Sequence, residues 1–228
     1  MKLMNTGGYN LDFGIDTDGR YKGKTVKIGS VTIDRESVSY VKVNDHATAM
    51  PLSITHNGSF IRYHYDENGN ISQIDRKREM RARYGYDALG RLIREDNKDF
   101  NKSWFYAYDN NGNIVSKEEC AFTLESHTTG TGSVEAYTYE KDRLENCGGE
   151  SITYDKVGNP LTYRGNALKW ERGRKLVEYG TNKFRYDAQG RRTAKNDINY
   201  VYDSNDRLIA EGSVMEYFYD ITGLLGFK

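Results

Sequence analysis

A short pattern, Tyr-Asp-x-x-Gly, recurs along the chain and limits it to a narrow set of folds. Ungapped copies begin at Tyr65, Tyr86, Tyr108, Tyr154, Tyr186 and Tyr219. Four further units depart from it. Asp16 and Gly19 keep the turn but follow Ile15; Tyr139 starts a shorter unit without the glycine. Trp170 replaces tyrosine before Glu171-Arg172-Gly173, and Tyr202-Asp203 has Asp206 where glycine belongs. From Tyr154 onward the units start at 154, 170, 186, 202 and 219, a period of 16 or 17 residues. Between 65 and 108 the period is 21 or 22, and the step from 108 to 139 contains an insertion.

Each part of the motif has a backbone consequence. Phe184 and Tyr186 are two apart and so share one face of a strand. The same spacing links Tyr63 with Tyr65, Tyr84 with Tyr86, Tyr106 with Tyr108, Tyr137 with Tyr139, Leu168 with Trp170, Tyr200 with Tyr202 and Tyr217 with Tyr219. An aspartate carboxylate can accept hydrogen bonds from the backbone N–H groups just after it, which ends the strand. Glycine three positions on supplies a left-handed conformation without steric cost. The predicted turns are therefore Asp16/Gly19, Asp66/Gly69, Asp87/Gly90, Asp109/Gly112, Asp155/Gly158, Asp187/Gly190, Asp203 and Asp220/Gly223. Each reads as a type I turn closed by a glycine bulge. The predicted aromatic stripe is Tyr65, Tyr86, Tyr108, Tyr139, Tyr154, Trp170, Tyr186, Tyr202 and Tyr219.

The expected fold is all-β, an antiparallel meander of repeated β-hairpins. About 20 strands at about 4.8 Å each would make a sheet almost 100 Å wide. Sheets that wide curl, so a strongly curved or spiralling sheet is expected. Residues 1–60 read as degenerate N-terminal repeats, with strands around Val26, Ile28, Val31, Ile33, Val38, Tyr40, Val41 and Val43. Residues 61–120 hold long-period repeats, 121–136 a polar insertion loop expected to be mobile, and 137–228 compact 16-residue repeats, all in one continuous sheet.

Composition narrows the function. Lysine plus arginine equals aspartate plus glutamate at 33 each, so no general attraction to nucleic acid or to an anionic membrane surface is expected. Hydrophobic residues make up 37%, low for a filled core, while 19 tyrosines suit a sheet face that stays partly wet. No apolar run is long enough for a membrane span, and Met1 to Leu11 contains no signal peptide. Cys120 and Cys147 permit one disulfide that spacing cannot establish.

The Tyr154-to-Leu161 run, the Trp170-to-Arg174 segment and the tail from Tyr217 to Gly223 resemble the YD-repeat, or rearrangement-hotspot (Rhs), family. That family includes bacterial polymorphic toxins, insecticidal toxin-complex shells, wall-associated proteins and animal teneurins. The resemblance covers residues 61–228 strongly and 1–60 weakly. It implies a secreted or cell-surface β-shell, and a C-terminal toxin or cargo domain in a longer parent protein as its partner.

Sharper chemistry is weighed against this scaffold reading. Asp66 to Asn70 and Asp109 to Asn113 look superficially like calcium loops but lack ligands at the twelve-residue spacing and the terminal glutamate. No metal or cofactor is expected. Aspartates that recur at every turn mark structure, whereas an active site should be singular, so no catalytic residue is assigned. His46, His56, His64 and His127 lack metal-ligand spacing. Arg20, Arg91, Arg143, Arg174, Arg191 and Arg207 follow the turns and are expected to form cross-strand ladders with neighbouring acids. The alternative function is a surface adhesion module that binds glycans or proteins, with tyrosines stacking on sugars.

Overall fold

A computed structural model describes residues 2–6, 9–220 and 223–227. Every element is a strand, and the chain divides into two compact units, residues 1–135 and 136–228. The first unit opens with β1 (Lys2–Thr6), β2 (Tyr9–Ile15), β3 (Tyr21–Ile28), β4 (Val31–Val43), β5 (His46–His56) and β6 (Ser59–Tyr65). It continues with β7 (Ile71–Arg76), β8 (Glu79–Tyr86), β9 (Leu92–Asn97), β10 (Lys102–Tyr108) and β11 (Ile114–Ala121). Strand β12 (Ser133–Glu140) runs across the division.

The second unit continues with β13 (Arg143–Cys147), β14 (Glu150–Ser151), β15 (Thr162–Tyr163), β16 (Asn166–Glu171), β17 (Lys175–Tyr179) and β18 (Asn182–Tyr186). It ends with β19 (Arg192–Lys195), β20 (Ile198–Tyr202), β21 (Leu208–Glu211), β22 (Met215–Asp220) and β23 (Gly223–Phe227). Strands pair antiparallel in chain order, as the hairpin period requires. The expected single sheet is interrupted between β14 and β15, where Tyr154 opposite Pro160 makes an isolated bridge. A proline cannot donate to a ladder, which fits the break at that point.

Two kinds of junction alternate. Within a YD hairpin the ladder is long and carries a bulge at the aromatic: Tyr86 faces Leu92, Tyr108 faces Ile114 and Tyr186 faces Arg192, each one step out of register. Between hairpins the first unit keeps four pairs, as from Ser53 opposite Arg62 to His56 opposite Ser59. In the compact repeats this junction shrinks to two pairs: Glu178–Lys183 with Tyr179–Asn182, then Ala194–Asn199 with Lys195–Ile198. The ladder inside the hairpin shortens as well, from five pairs between β8 and β9 to three between β18 and β19, so the period of 16 or 17 against 21 or 22 reflects shorter strands at both kinds of junction.

Burial follows the strand alternation. Along β16 and β18 the aromatic or apolar residue is half-buried and its neighbours are exposed. Fully buried apolar side chains are few among the described residues: Leu11, Phe13, Ala82, Cys147, Ile152 and Ala194. The low hydrophobic content is therefore spent on stripes along a sheet and not on a central core.

Candidate functional site

The repeated turn is built by one carboxylate. Asp187 N–H donates to the Arg191 carbonyl at 3.0 Å, and Gly190 N–H donates to the Asp187 carbonyl at 3.2 Å, a type I turn with a bulge. The Asp187 Oδ1 accepts the Arg191 N–H at 2.9 Å, and Oδ2 accepts the Arg191 Nε–H at 2.7 Å. Gly190 sits at φ +92°, where a side chain is strained. The same arrangement recurs at Asp16, Asp66, Asp87, Asp109, Asp155 and Asp203, whose Oδ1 also takes the N–H two residues on, each at 2.9 Å.

The glycines of these turns stand at exposed tips. Gly19, Gly69, Gly90, Gly112 and Gly158 are all solvent-exposed. Each donates its N–H to the carbonyl of its own turn aspartate, at 3.0–3.2 Å. A Cβ at Gly19, Gly90, Gly112 or Gly158 would meet open space, and one at Gly69 would meet the Met50 Sδ at 3.6 Å. Room for a side chain is therefore not what the motif withholds. At Gly69, Gly90, Gly112 and Gly158 the positive φ, between +76° and +91°, sets the bulge.

The residue after the glycine completes the turn, and it is either arginine or asparagine. Arg20, Arg91, Arg191 and Arg207 donate Nε–H to the turn aspartate at 2.6–2.7 Å. Asn70, Asn113 and Asn159 donate Nδ2–H to the same oxygen at 2.8–3.0 Å. These arginines pair back into their own turn, because the bulge brings the guanidinium over the carboxylate four residues earlier; of the expected pairs between neighbouring units, Arg191 makes one, with Asp206 at 2.5 Å. Asp206 takes the glycine position at φ +60°, a left-handed conformation that aspartate tolerates better than most residues. The short Tyr139 unit turns through Lys141 and Asp142, both at positive φ.

The last predicted turn differs. Asp220 lies directly opposite Gly223 in β23, while residues 221 and 222 and the Asp220 side chain lie outside the described residues.

The turn carboxylates are held below the ordinary aspartate range. At Asp66, Asp109 and Asp187 the main cause is the side-chain bond from Asn70, Asn113 or Arg191; at Asp87, Asp155 and Asp203 it is the backbone bond from Arg91, Asn159 or Arg207. Their oxygens are consumed by the turn, so the calcium-like segments Asp66–Asn70 and Asp109–Asn113 are Asx turns. Among the described residues no group of three or more metal-ligating side chains occurs.

The aromatics form a second repeated device, a latch between hairpins. Tyr186 Oη–H donates to the Leu176 carbonyl at 2.8 Å, and Tyr202 Oη–H to the Arg192 carbonyl at 2.7 Å. Leu176 lies beyond the two pairs that join β17 to β18, so the phenol supplies a donor where the ladder has stopped. Tyr65, Tyr86, Tyr108 and Tyr154 reach the carbonyls of Pro51, Ile71, Leu92 and Leu144 in the same way. The acceptor is in each case the residue paired with the preceding unit's aromatic. Trp170 preserves the latch through its indole: Nε1–H donates to the Pro160 carbonyl at 2.7 Å. Tryptophan can replace tyrosine here because both carry a donor at the ring edge. Tyr40 latches to the Tyr21 carbonyl at 2.6 Å, a unit hidden in residues 1–60.

A cation covers many of these rings. The Arg91 guanidinium carbon lies 4.6 Å from the Tyr108 centroid, Arg143 4.7 Å from Tyr154, Arg191 5.4 Å from Tyr202 and Arg207 5.0 Å from Tyr219. One arginine therefore closes its own turn and caps the next unit's ring. Tyr139 is half-buried opposite Leu144 at its bulge.

The insertion between β11 and β12 is tied down. Arg94 Nη2 donates to the Thr123 carbonyl at 2.8 Å and the Glu125 carbonyl at 3.0 Å; Arg83 Nη2 reaches the Leu124 carbonyl at 3.0 Å. Fully buried Asp96 holds both arginines and the Ser103 hydroxyl. Glu118, 2% exposed, accepts the Gly130 and Gly132 N–H groups at 2.9 and 2.7 Å. These partners were not legible from a Ser/Thr/Gly-rich segment. Cys120 and Cys147 are free thiols.

The comparisons with known proteins agree with this geometry. The teneurin YD-shell family matches residues 61–226. No curated protein matches. Among solved structures, the Tc holotoxin pore of Photorhabdus luminescens, carrying a TccC3 mutation, aligns over 98% of this chain at 17% identity with a TM-score of 0.56. The TcdB2–TccC3 complex aligns over 95% at 14% identity with a TM-score of 0.47. This chain spans 14% of the length of each of those chains. The turn and latch recur between Tyr65 and Arg207 within the matched region, and the chain belongs to the teneurin YD-shell family.

Proposed function

We propose that this chain is a non-catalytic wall segment of a secreted or cell-surface shell, which in a longer parent polypeptide encloses or presents a C-terminal toxin-like cargo. The observation that carries it is the consumption of the repeat's chemical groups by architecture. At each complete turn the aspartate oxygens are bound by the turn, and the aromatic donors are bound by the neighbouring hairpin's carbonyl. Such a group is committed to holding hairpins together rather than to a substrate. The same commitment speaks against sugar stacking on the stripe, since several rings already carry an arginine on one face.

The test uses the full-length product of the gene that encodes this chain. Its C-terminal segment is expected to resist a nonspecific protease at neutral pH and to be digested once the β-signal is lost in denaturant. Digestion of that segment at the same rate in native and denatured protein would overturn the shell reading.

A further inference from the structure

The insertion is chemically unlike the rest of the array. The repeats are held by phenol latches and solvent-facing turns, whereas residues 123–125 are held by Arg83, Arg94 and Ser103, which buried Asp96 fixes, and residues 127–132 by buried Glu118. Register shows which face they cover. Arg83, Asp96, Ser103 and Cys120 stand in one cross-strand row, and Arg94, Phe105 and Glu118 in the next. Tyr84, Glu95, Trp104 and Glu119 form the row between them, and so project from the opposite face. The segment therefore lies on the face away from the tyrosine stripe.

Its hold on that face comes mainly from polar contacts. The His127 ring stacks on Phe105 at 3.8 Å between centroids, with Arg94 5.1 Å from the same ring. His127 Nε2 lies 3.0 Å from Glu118 Oε1. Near its C-terminal end the segment offers two backbone donors, Gly130 and Gly132, to one carboxylate. Gly132 could carry no side chain, since a Cβ there would lie 2.4 Å from the Glu119 carbonyl oxygen. A segment bound by few apolar contacts opens more readily than the ladder beneath it.

We propose that residues 127–132 are an acid-releasable strap, a cover that leaves the β10–β11 face when the Glu118 carboxylate is neutralised, while residues 122–125 stay anchored by Arg83, Arg94 and Ser103. An ionised carboxylate accepts both glycine N–H groups in charge-assisted hydrogen bonds; a protonated one loses charge and one acceptor position. The charged or titratable groups around Glu118 are His127 on the strap, Arg94 and Asp96 on β9, Arg83 on β8 and Cys120 on its own strand. β10 contributes Phe105 and Ser103, which do not titrate in this range. The backbone bonds from Gly130 and Gly132 hold the Glu118 carboxyl below the ordinary glutamate range, so the strap stays latched until the medium is distinctly acidic.

Hydrogen exchange with mass spectrometry, corrected for the intrinsic pH dependence of exchange, tests this on the whole chain. In Glu118→Gln at pH 7, residues 127–132 are expected to exchange at least tenfold faster than in the wild type, with residues 182–208 unchanged. In the wild type, strap exchange is expected to rise as pH falls while residues 182–208 remain protected. Wild-type protection of the strap in Glu118→Gln would overturn the proposal. So would wild-type opening of the strap only together with the hairpins, a result that needs no variant.

Discussion

The phenol of Tyr186 does two jobs with separable costs: its ring covers the sheet, and its hydroxyl satisfies the Leu176 carbonyl. Tyr186→Phe keeps the first and removes the second. The expected cost is about 1 kcal/mol, the usual net value of one such bond, read as a fall of about 2–4 °C in melting temperature for a chain of this size. Tyr186→Trp should keep more of the stability, because Trp170 already makes the latch with an indole N–H. Gly190→Val forces a branched side chain into φ +92°. A loss of about 1–2 kcal/mol is expected, and an unchanged melting temperature would count against the turn's contribution. At this scale much was legible in the sequence, because aspartate and glycine sit at a fixed short spacing. The equivalence of Arg91 and Asn70 was hidden, since unlike side chains do the same hydrogen bonding. The Tyr40 latch was hidden too: the register shifts around Tyr40 in β4 erase the period that marks the other units.

The turn as an element has a sign in pH. Its aspartates sit below their ordinary value when folded, so the stability they contribute is complete above the unfolded aspartate pKa of about 3.9. It is lost as pH falls through and below that value. Burial pushes the phenols of Tyr65, Tyr86, Tyr108, Tyr154 and Tyr202 upward. A raised value reverses the sign: their contribution is complete below the unfolded phenol pKa of about 10 and is lost as pH rises beyond it. Denaturant midpoints are therefore expected to fall at both ends, below about pH 4 and above about pH 10, with a plateau between. A midpoint that stays level down to pH 2 would show that the carboxylates do not hold the turns. Strands were readable as elements from the two-residue aromatic spacing. The insertion was not, because Arg83, Asp96 and Ser103, which anchor its first residues, come from three strands distant from it in sequence.

At the scale of the whole molecule, the nearest-neighbour character of the array permits one repeat to be removed. Deleting residues 186–201 joins Arg185 to Tyr202 and preserves both strand alternation and the distance to the Leu176 carbonyl. The shortened chain is expected to keep its β circular-dichroism signal and cooperative melting. Removing seven residues from the same place should abolish both, because an odd shift turns the stripe to the opposite face. The two-pair junctions of the compact repeats carry a mechanical consequence. Pulled from its ends, that part of the chain presents its hairpins to the load in series, each joined to the next by two ladder pairs and a ring-edge donor. It should yield hairpin by hairpin, in steps of about 55 Å of contour length, the span of one 16-residue period at about 3.3–3.6 Å per residue. An optical trap would show this as a sawtooth of even spacing, so the wall would pay out under tension as a ratcheted cord instead of rupturing at once.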